Sequence, residues 1–195
     1  LVFGTGKSGI GAADLLEETG AHVILFDGNE KTDKDAVLTK VSHAEDASVY
    51  AGELPKEVLE SLDLVILSPG VPTDIPIVKK FYEMGLPVWG EVELAYRTSK
   101  GRVLAITGTN GKTTTTALLG KIMSDAEDSV FVVGNIGTPY TSKALEMKPN
   151  SVTVAEISSF QLETIDEFAP KVSAILNITE DHLNRHHTME EYIRV

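Results

Sequence analysis

Short runs of branched apolar residues recur along this chain, at residues 23–26, 64–67, 103–106, 130–133, 152–155 and 172–176, with a further run opening it at residues 1–3. Most of these runs are apolar throughout rather than alternating, as a strand covered on both faces requires. The stretches between them carry helical spacing. Strands and helices in alternation predict parallel α/β sheets with helices packed on their faces. A short polar run ending in glycine, residues 97–101, follows a helix-like stretch at 91–96 and is expected to separate two domains, 1–98 and 99–195. The polar run 29–35 reads as a solvated loop. Thr188 and Glu191 have capping-box spacing, so a helix is expected to start there. Both ends fall inside elements, residues 1–3 in a strand and 192–195 in a helix, so the sequence reads as part of a longer protein.

Composition narrows the ligands. Seventeen basic against 29 acidic side chains give a net charge of -12, which disfavours nonspecific attachment to nucleic acid or an anionic membrane. Anionic ligands must then be held by local devices such as helix N-termini and bound magnesium. There is no cysteine, which agrees with a reducing, cytoplasmic setting. No run reaches the roughly 18 apolar residues of a membrane span, and a monomer is expected.

Two glycine loops carry chemistry. The first, Gly4-Thr5-Gly6-Lys7-Ser8-Gly9, lies between a strand and a helix, and Asp27 closes the next strand. That is the context of a Rossmann-like dinucleotide fold, with a pyrophosphate on the helix N-terminus and Asp27 on a ribose hydroxyl. Taken alone the loop suits a nicotinamide or flavin cofactor, but a UDP-sugar offers the same pyrophosphate and ribose. Ser68-Pro69-Gly70 ends the next clear strand at the same sheet edge, where a plain turn explains it equally well.

The second loop, Gly108-Thr109-Asn110-Gly111-Lys112-Thr113-Thr114, follows an apolar strand and opens a helix, as in P-loop NTPases. Lys112 would reach the outer phosphates of a nucleotide and Thr113 would offer its hydroxyl to Mg2+. The loop departs from the general pattern in having Ile106 where the first glycine is expected. Three further clusters end strands and should converge on the same ligand: Gly134-Asn135-Ile136-Gly137, Glu156-Ile157-Ser158-Ser159-Phe160-Gln161-Leu162-Glu163, and Asn177-Ile178-Thr179-Glu180-Asp181-His182.

In this order the clusters resemble the Mur ligases, amide-forming enzymes of peptidoglycan synthesis, and the stretch 156–163 is closest to their D-glutamate-adding branch. The resemblance covers essentially the whole chain. It implies a Rossmann-like domain holding a UDP-linked substrate, followed by a P-loop NTPase-like domain cut short at its C-terminus. It implies ATP and Mg2+ as cofactors, with UDP-N-acetylmuramoyl-L-alanine and D-glutamate as partners joined through an acyl phosphate. Residue by residue, Gly108 to Thr114 would hold ATP, Lys112 and His182 would serve catalysis, and Thr113, Glu156 and His182 would hold Mg2+. Lys7, Ser8, Asp27, Ser68, Gly70, Asn135 and Ser158 would contact the UDP-linked substrate. The family's carbamylated lysine and the domain that takes D-glutamate are expected beyond Val195, so these residues alone are expected to bind without turnover. Closure between the two domains would fall across 97–101.

Three alternatives stand beside that reading: a sister Mur or folylpolyglutamate-type ligase, a nicotinamide-dependent oxidoreductase, and a binding module in which the phosphate loop is structural. His182, His186 and His187 imitate a transition-metal cluster. Zinc is rejected, because no cysteine accompanies them and the segment before Thr188 reads as loop; His186 and His187 are expected at the surface.

Overall fold

The structure, a computed structural model, describes residues 1–195 except His43, Glu45, Asp46 and Ile136. Two parallel sheets follow one another along the chain. The first is built from β1 (Val2–Phe3), β2 (Val23–Asp27), β3 (Ala47–Ala51), β4 (Val65–Leu67) and β5 (Val88–Gly90), in the order β3-β2-β1-β4-β5. That strand order, with a glycine loop leaving the central strand, makes this half Rossmann-like. Its helices are α1 (Lys7–Glu18), α2 (Lys34–Leu38), α3 (Lys56–Glu60), α4 (Pro76–Glu83) and α5 (Glu91–Thr98).

The second sheet has the order β7-β8-β6-β9, from β6 (Arg102–Thr107), β7 (Val130–Gly134), β8 (Val152–Glu156) and β9 (Val172–Ile175). Its long helix α6 (Lys112–Ala126) springs from the central strand β6, a P-loop-like arrangement. A 3-10 helix (Thr141–Glu146) and the short helices α7 (Ser159–Leu162), α8 (Leu183–His186) and α9 (Met189–Arg194) complete the described elements. β8 is buried along its whole length, which explains its unbroken apolar run.

Some expectations need correction. β3 and β5 have no counterpart among the predicted strands. The expected 29–35 loop ends earlier, because Asp33 caps α2 and accepts from the Ala36 N–H at 3.0 Å. The capping box at α9 is half made: Thr188 Oγ1 accepts the Glu191 N–H, but the Glu191 carboxylate is taken by Arg194 at 2.7 and 2.5 Å. The segment before Thr188 is one turn of helix, α8, rather than loop.

The two sheets share a core. One cluster of buried residues runs from Val2, Ala12 and Leu25 through Val92, Leu94 and Ala95 of α5 to Val103, Val133, Tyr140 and Ala155. Helix α5 is the joint. Its Glu93, with no exposed surface, accepts the N–H groups of Asp166, Glu167 and Phe168, each at 2.9 Å, and the Nε of Arg97 at 2.6 Å. Arg97 reaches Asp166 as well, at 2.7 Å, and lies over the Trp89 ring. At the other end of α5 the Gly90 N–H donates to Thr164 O at 3.0 Å.

Candidate active site

Between β6 and α6 the chain must turn sharply, and glycine does the turning. Gly108 and Gly111 have φ of 138° and 85°, in the region that side chains rarely enter. A Cβ on Gly108 would stand 3.1 Å from backbone atoms of Leu176 and Asn177, so the loop lies directly against the segment after β9. Asn177 clasps it. Its carbonyl accepts the Thr109 N–H at 3.0 Å, its Oδ1 accepts the Asn110 N–H at 2.9 Å, and its Nδ2 donates to Asn110 O at 2.9 Å. Thr109 is buried, accepting the Thr179 N–H at 3.0 Å and lying 2.9 Å from the Tyr192 hydroxyl. Sequence reasoning assigns neither Asn177 nor Tyr192 a role; Asn177's place in a strand-end cluster was its one signal.

The loop suits a polyphosphate. No side chain caps the N-terminus of α6, so its first N–H groups point outward without intrahelical acceptors. The Lys112 ammonium is folded over the loop, donating to Gly108 O at 2.6 Å and Thr109 O at 3.0 Å, where it puts positive charge beside those N–H groups. Asn110, Gly111, Thr113 and Thr114 are exposed around it.

A cavity of about 350 Å³ opens beside this loop. Gly108, Lys112, Asn135, Ser158 and His182 all line it, so five of the expected site residues meet there. Glu156 lies just behind. It ends β8, is 2 % exposed, and its Oε1 accepts from Asn135 Nδ2 at 3.3 Å. Gly134 makes this possible: its φ is 124°, and a Cβ there would fall 2.1 Å from Glu156 O. Ile136, next to Asn135, lies outside the described residues.

His182 stands at the N-terminus of α8 with φ of 54°, an uncommon conformation for histidine. Its ring packs 4.9 Å from that of Phe160 and edge-on to Tyr192. His186 is the main correction. Expected at the surface, it is 2 % exposed, stacked on Tyr192 at 5.2 Å, with Nε2 at 2.9 Å from Ser159 Oγ and Nδ1 at 3.3 Å from Glu163. Burial holds its pKa below the ordinary value, against the opposing pull of the Glu163 carboxylate. Arg185 completes this network, binding Glu163 through two nitrogens and donating to Val71 O at 2.8 Å across to the first half. His187 is exposed as expected, 3.3 Å from Asp74. Among the described residues no three His, Cys, Asp or Glu side chains form a metal cage. A magnesium ion held near Thr113, Glu156 and His182 would need phosphate or water oxygens to fill its shell, as its preference for retained water allows.

The remaining expected residues lie at the first sheet, outside this cavity. Lys7 lines a separate groove of about 440 Å³ with Thr5, Lys40 and Pro139. Asp27 is engaged locally, accepting from Thr5 Oγ1 at 2.7 Å and the Asn29 N–H at 3.0 Å. Ser68 Oγ donates to Gly4 O at 3.3 Å, while Ser8 is half-buried and Gly70 exposed.

Two family models match, "Mur ligase MurD-like, N-terminal domain" over residues 1–90 and "Mur ligase middle domain" over residues 106–195. The chain belongs to the Mur ligase family. Among its relatives, a protein named "UDP-N-acetylmuramoylalanine--D-glutamate ligase" from Lachnospira eligens is 58% identical over 192 residues, 98% of this chain and 42% of that protein. A protein of the same name from Lachnoclostridium phytofermentans is 57% identical over 193 residues, 99% of this chain and 42% of that protein. The chain thus spans about two fifths of the length of these Mur ligases. Among solved structures, the Neisseria meningitides UDP-N-acetylmuramate:L-alanyl-gamma-D-glutamyl-meso-diaminopimelate ligase aligns with a TM-score of 0.57 at 18% identity, covering 98% of this chain and 64% of that one. That likeness carries the fold, two parallel α/β sheets in succession. Among the described residues no helix is long and apolar enough to cross a membrane.

Proposed function

We propose that the full-length protein containing these residues is an ATP-dependent ligase that joins D-glutamate to UDP-N-acetylmuramoyl-L-alanine, making a peptidoglycan precursor. The carrying observation is the convergence of Gly108, Lys112, Asn135, Ser158 and His182 on one cavity beside an uncapped helix N-terminus. The names of the relatives support the choice of D-glutamate over other amino acids. On this reading residues 1–98 hold the UDP-linked substrate and 99–195 the nucleotide, and the protein works in the cytoplasm as a monomer.

Bound ATP would supply the leaving group that makes a carboxylate reactive towards an amine. The residues of this chain have the positioning to do. Gly108, Gly111 and Thr114 would cradle phosphates through backbone N–H groups, with Thr109 and Asn110, whose N–H groups go to Asn177, shaping the loop around them, and Lys112 would turn from its loop carbonyls towards the outer phosphates. Thr113, Glu156 and His182 would hold Mg2+. Asn135 and Ser158, on the cavity wall, would orient the muramoyl end of the substrate. Lys7, Ser8, Asp27, Ser68 and Gly70 would place its UDP end.

The test is phosphate release by the full-length protein given ATP, Mg2+ and UDP-N-acetylmuramoyl-L-alanine. Release should depend on D-glutamate and be lost well over tenfold in Lys112→Ala, in line with the loss of a preorganised charge. Dependence on L-alanine or a diamino acid instead would move the protein to a sister ligase. Binding of NAD to the first half, without the UDP-sugar, would overturn the reading altogether.

A further inference from the structure

Glu91 begins α5, on the first half of the chain, and does not line the cavity. It is 2 % exposed, and its Oε1 accepts from the Gln161 Nε2 at 2.6 Å. The other end of that amide faces the site: Gln161 Oε1 accepts both the Ser158 N–H at 2.8 Å and the Ser158 hydroxyl at 3.0 Å. Ser158 Oγ in turn accepts the Gln161 N–H at 3.3 Å, closing the capping box of α7.

A primary amide has a donor end and an acceptor end of nearly equal shape. Reversed, Gln161 would set its NH2 against the Ser158 N–H, donor against donor. A buried acceptor at Glu91 rules that orientation out. Without it the amide can rotate, and the hydroxyl loses a fixed direction.

We propose that Glu91 is a positioning residue for the ligand cavity, acting through Gln161 to fix the direction of the Ser158 N–H and hydroxyl. The proposal rests on the preceding reading in taking Ser158 as a contact of the UDP-linked substrate. Two further observations agree with this role. Glu91 Oε2 is buried without a partner among the described residues, and burial, opposed by the Gln161 hydrogen bond, raises the carboxyl's pKa. Nor does α5 depend on Glu91 for its place, because Gly90 and Glu93 tie it independently to Thr164 and to residues 166–168.

The experiment uses the full-length protein and steady-state kinetics. In Glu91→Met, KM for the UDP-linked substrate should rise about tenfold, one hydrogen bond's worth of orientation, with kcat changed less. Glu91→Gln still offers an acceptor and should stay near wild type. The exchange Glu91→Gln with Gln161→Glu keeps an acceptor against Ser158 and a hydrogen bond between positions 91 and 161 with donor and acceptor swapped, so KM should again stay near the wild-type value. That swap also decides the matter should Glu91→Met not fold, since a swap with KM raised tenfold would overturn the proposal. An unchanged KM in a folded Glu91→Met, or one raised only in step with a loss of thermal stability, would overturn it too. Wild-type protein without D-glutamate-dependent turnover would sink the functional reading, and this proposal with it.

Discussion

Removing the Glu93 carboxylate should cost this chain much of its stability, because it anchors α5 to the second half through several hydrogen bonds. Glu93→Ala withdraws the acceptor of three backbone N–H groups, at 2.9 Å each, and one partner of Arg97. The Phe168 N–H is buried and should cost about 2 kcal/mol when orphaned, while those of Asp166 and Glu167, on exposed residues, can turn to water and should cost about 1 kcal/mol each. Arg97 keeps Asp166 and Glu167 and adds little. The sum is about 4 kcal/mol, or roughly 10 °C in Tm for a chain of this size. Glu93→Gln, which keeps one acceptor, should lose about half of that. Burial acting alone would raise the Glu93 pKa, but the three N–H groups and Arg97 outweigh it and hold it below the ordinary 4.5. The carboxylate's stabilisation is therefore present above pH 4.5 and is lost as pH falls from there through the folded-state value. Urea unfolding at pH 7 and across pH 3–5 measures both effects. A loss under about 1 kcal/mol in Glu93→Ala at pH 7, or an acid limb as steep in Glu93→Gln as in wild type, would refute the anchoring role.

Gly134→Ala should destabilise by about 3 kcal/mol or more, because the new Cβ meets Glu156 O at 2.1 Å on a backbone with φ of 124°; a urea midpoint within error of wild type would contradict the described turn. His186 has its pKa lowered by burial from 6.5, so the unfolded chain takes up its proton first and stability should fall as pH drops below 6.5, levelling off under the folded value. His186→Gln should flatten that slope in thermal melts taken between pH 7 and 5.

The alternation of strands and helices was legible because each central strand is buried on both faces and has to be apolar throughout. β3 was not, since every one of its five residues is only partly buried and no face of it had to be written in apolar residues. β5 has three residues, too few for any period to show. The sharp turn between β6 and α6 was legible because its glycines are demanded locally, by backbone conformation. Its clasp by Asn177 was not, as that contact depends on β9 pairing beside β6. The same holds for His186, whose burial is created by Ser159, Glu163 and Tyr192, and for the two α5 carboxylates. In sequence Glu91 and Glu93 are two charged positions in a helix-like stretch, and only the second sheet, packed against them, turns them into interior groups.

The core that runs unbroken through α5 also bears on modularity. Enzymes of two sheets invite the view that one half can be exchanged for another by cutting at the connection. Here a cut at residues 97–101 would leave α5 with a foreign partner, stranding Glu93 opposite a loop that does not match it and Glu91 opposite a different side chain. Exchange of the first half therefore has to carry the segment 161–168 along with it, so the unit of inheritance is the first sheet together with the patch of the second that reads its last helix.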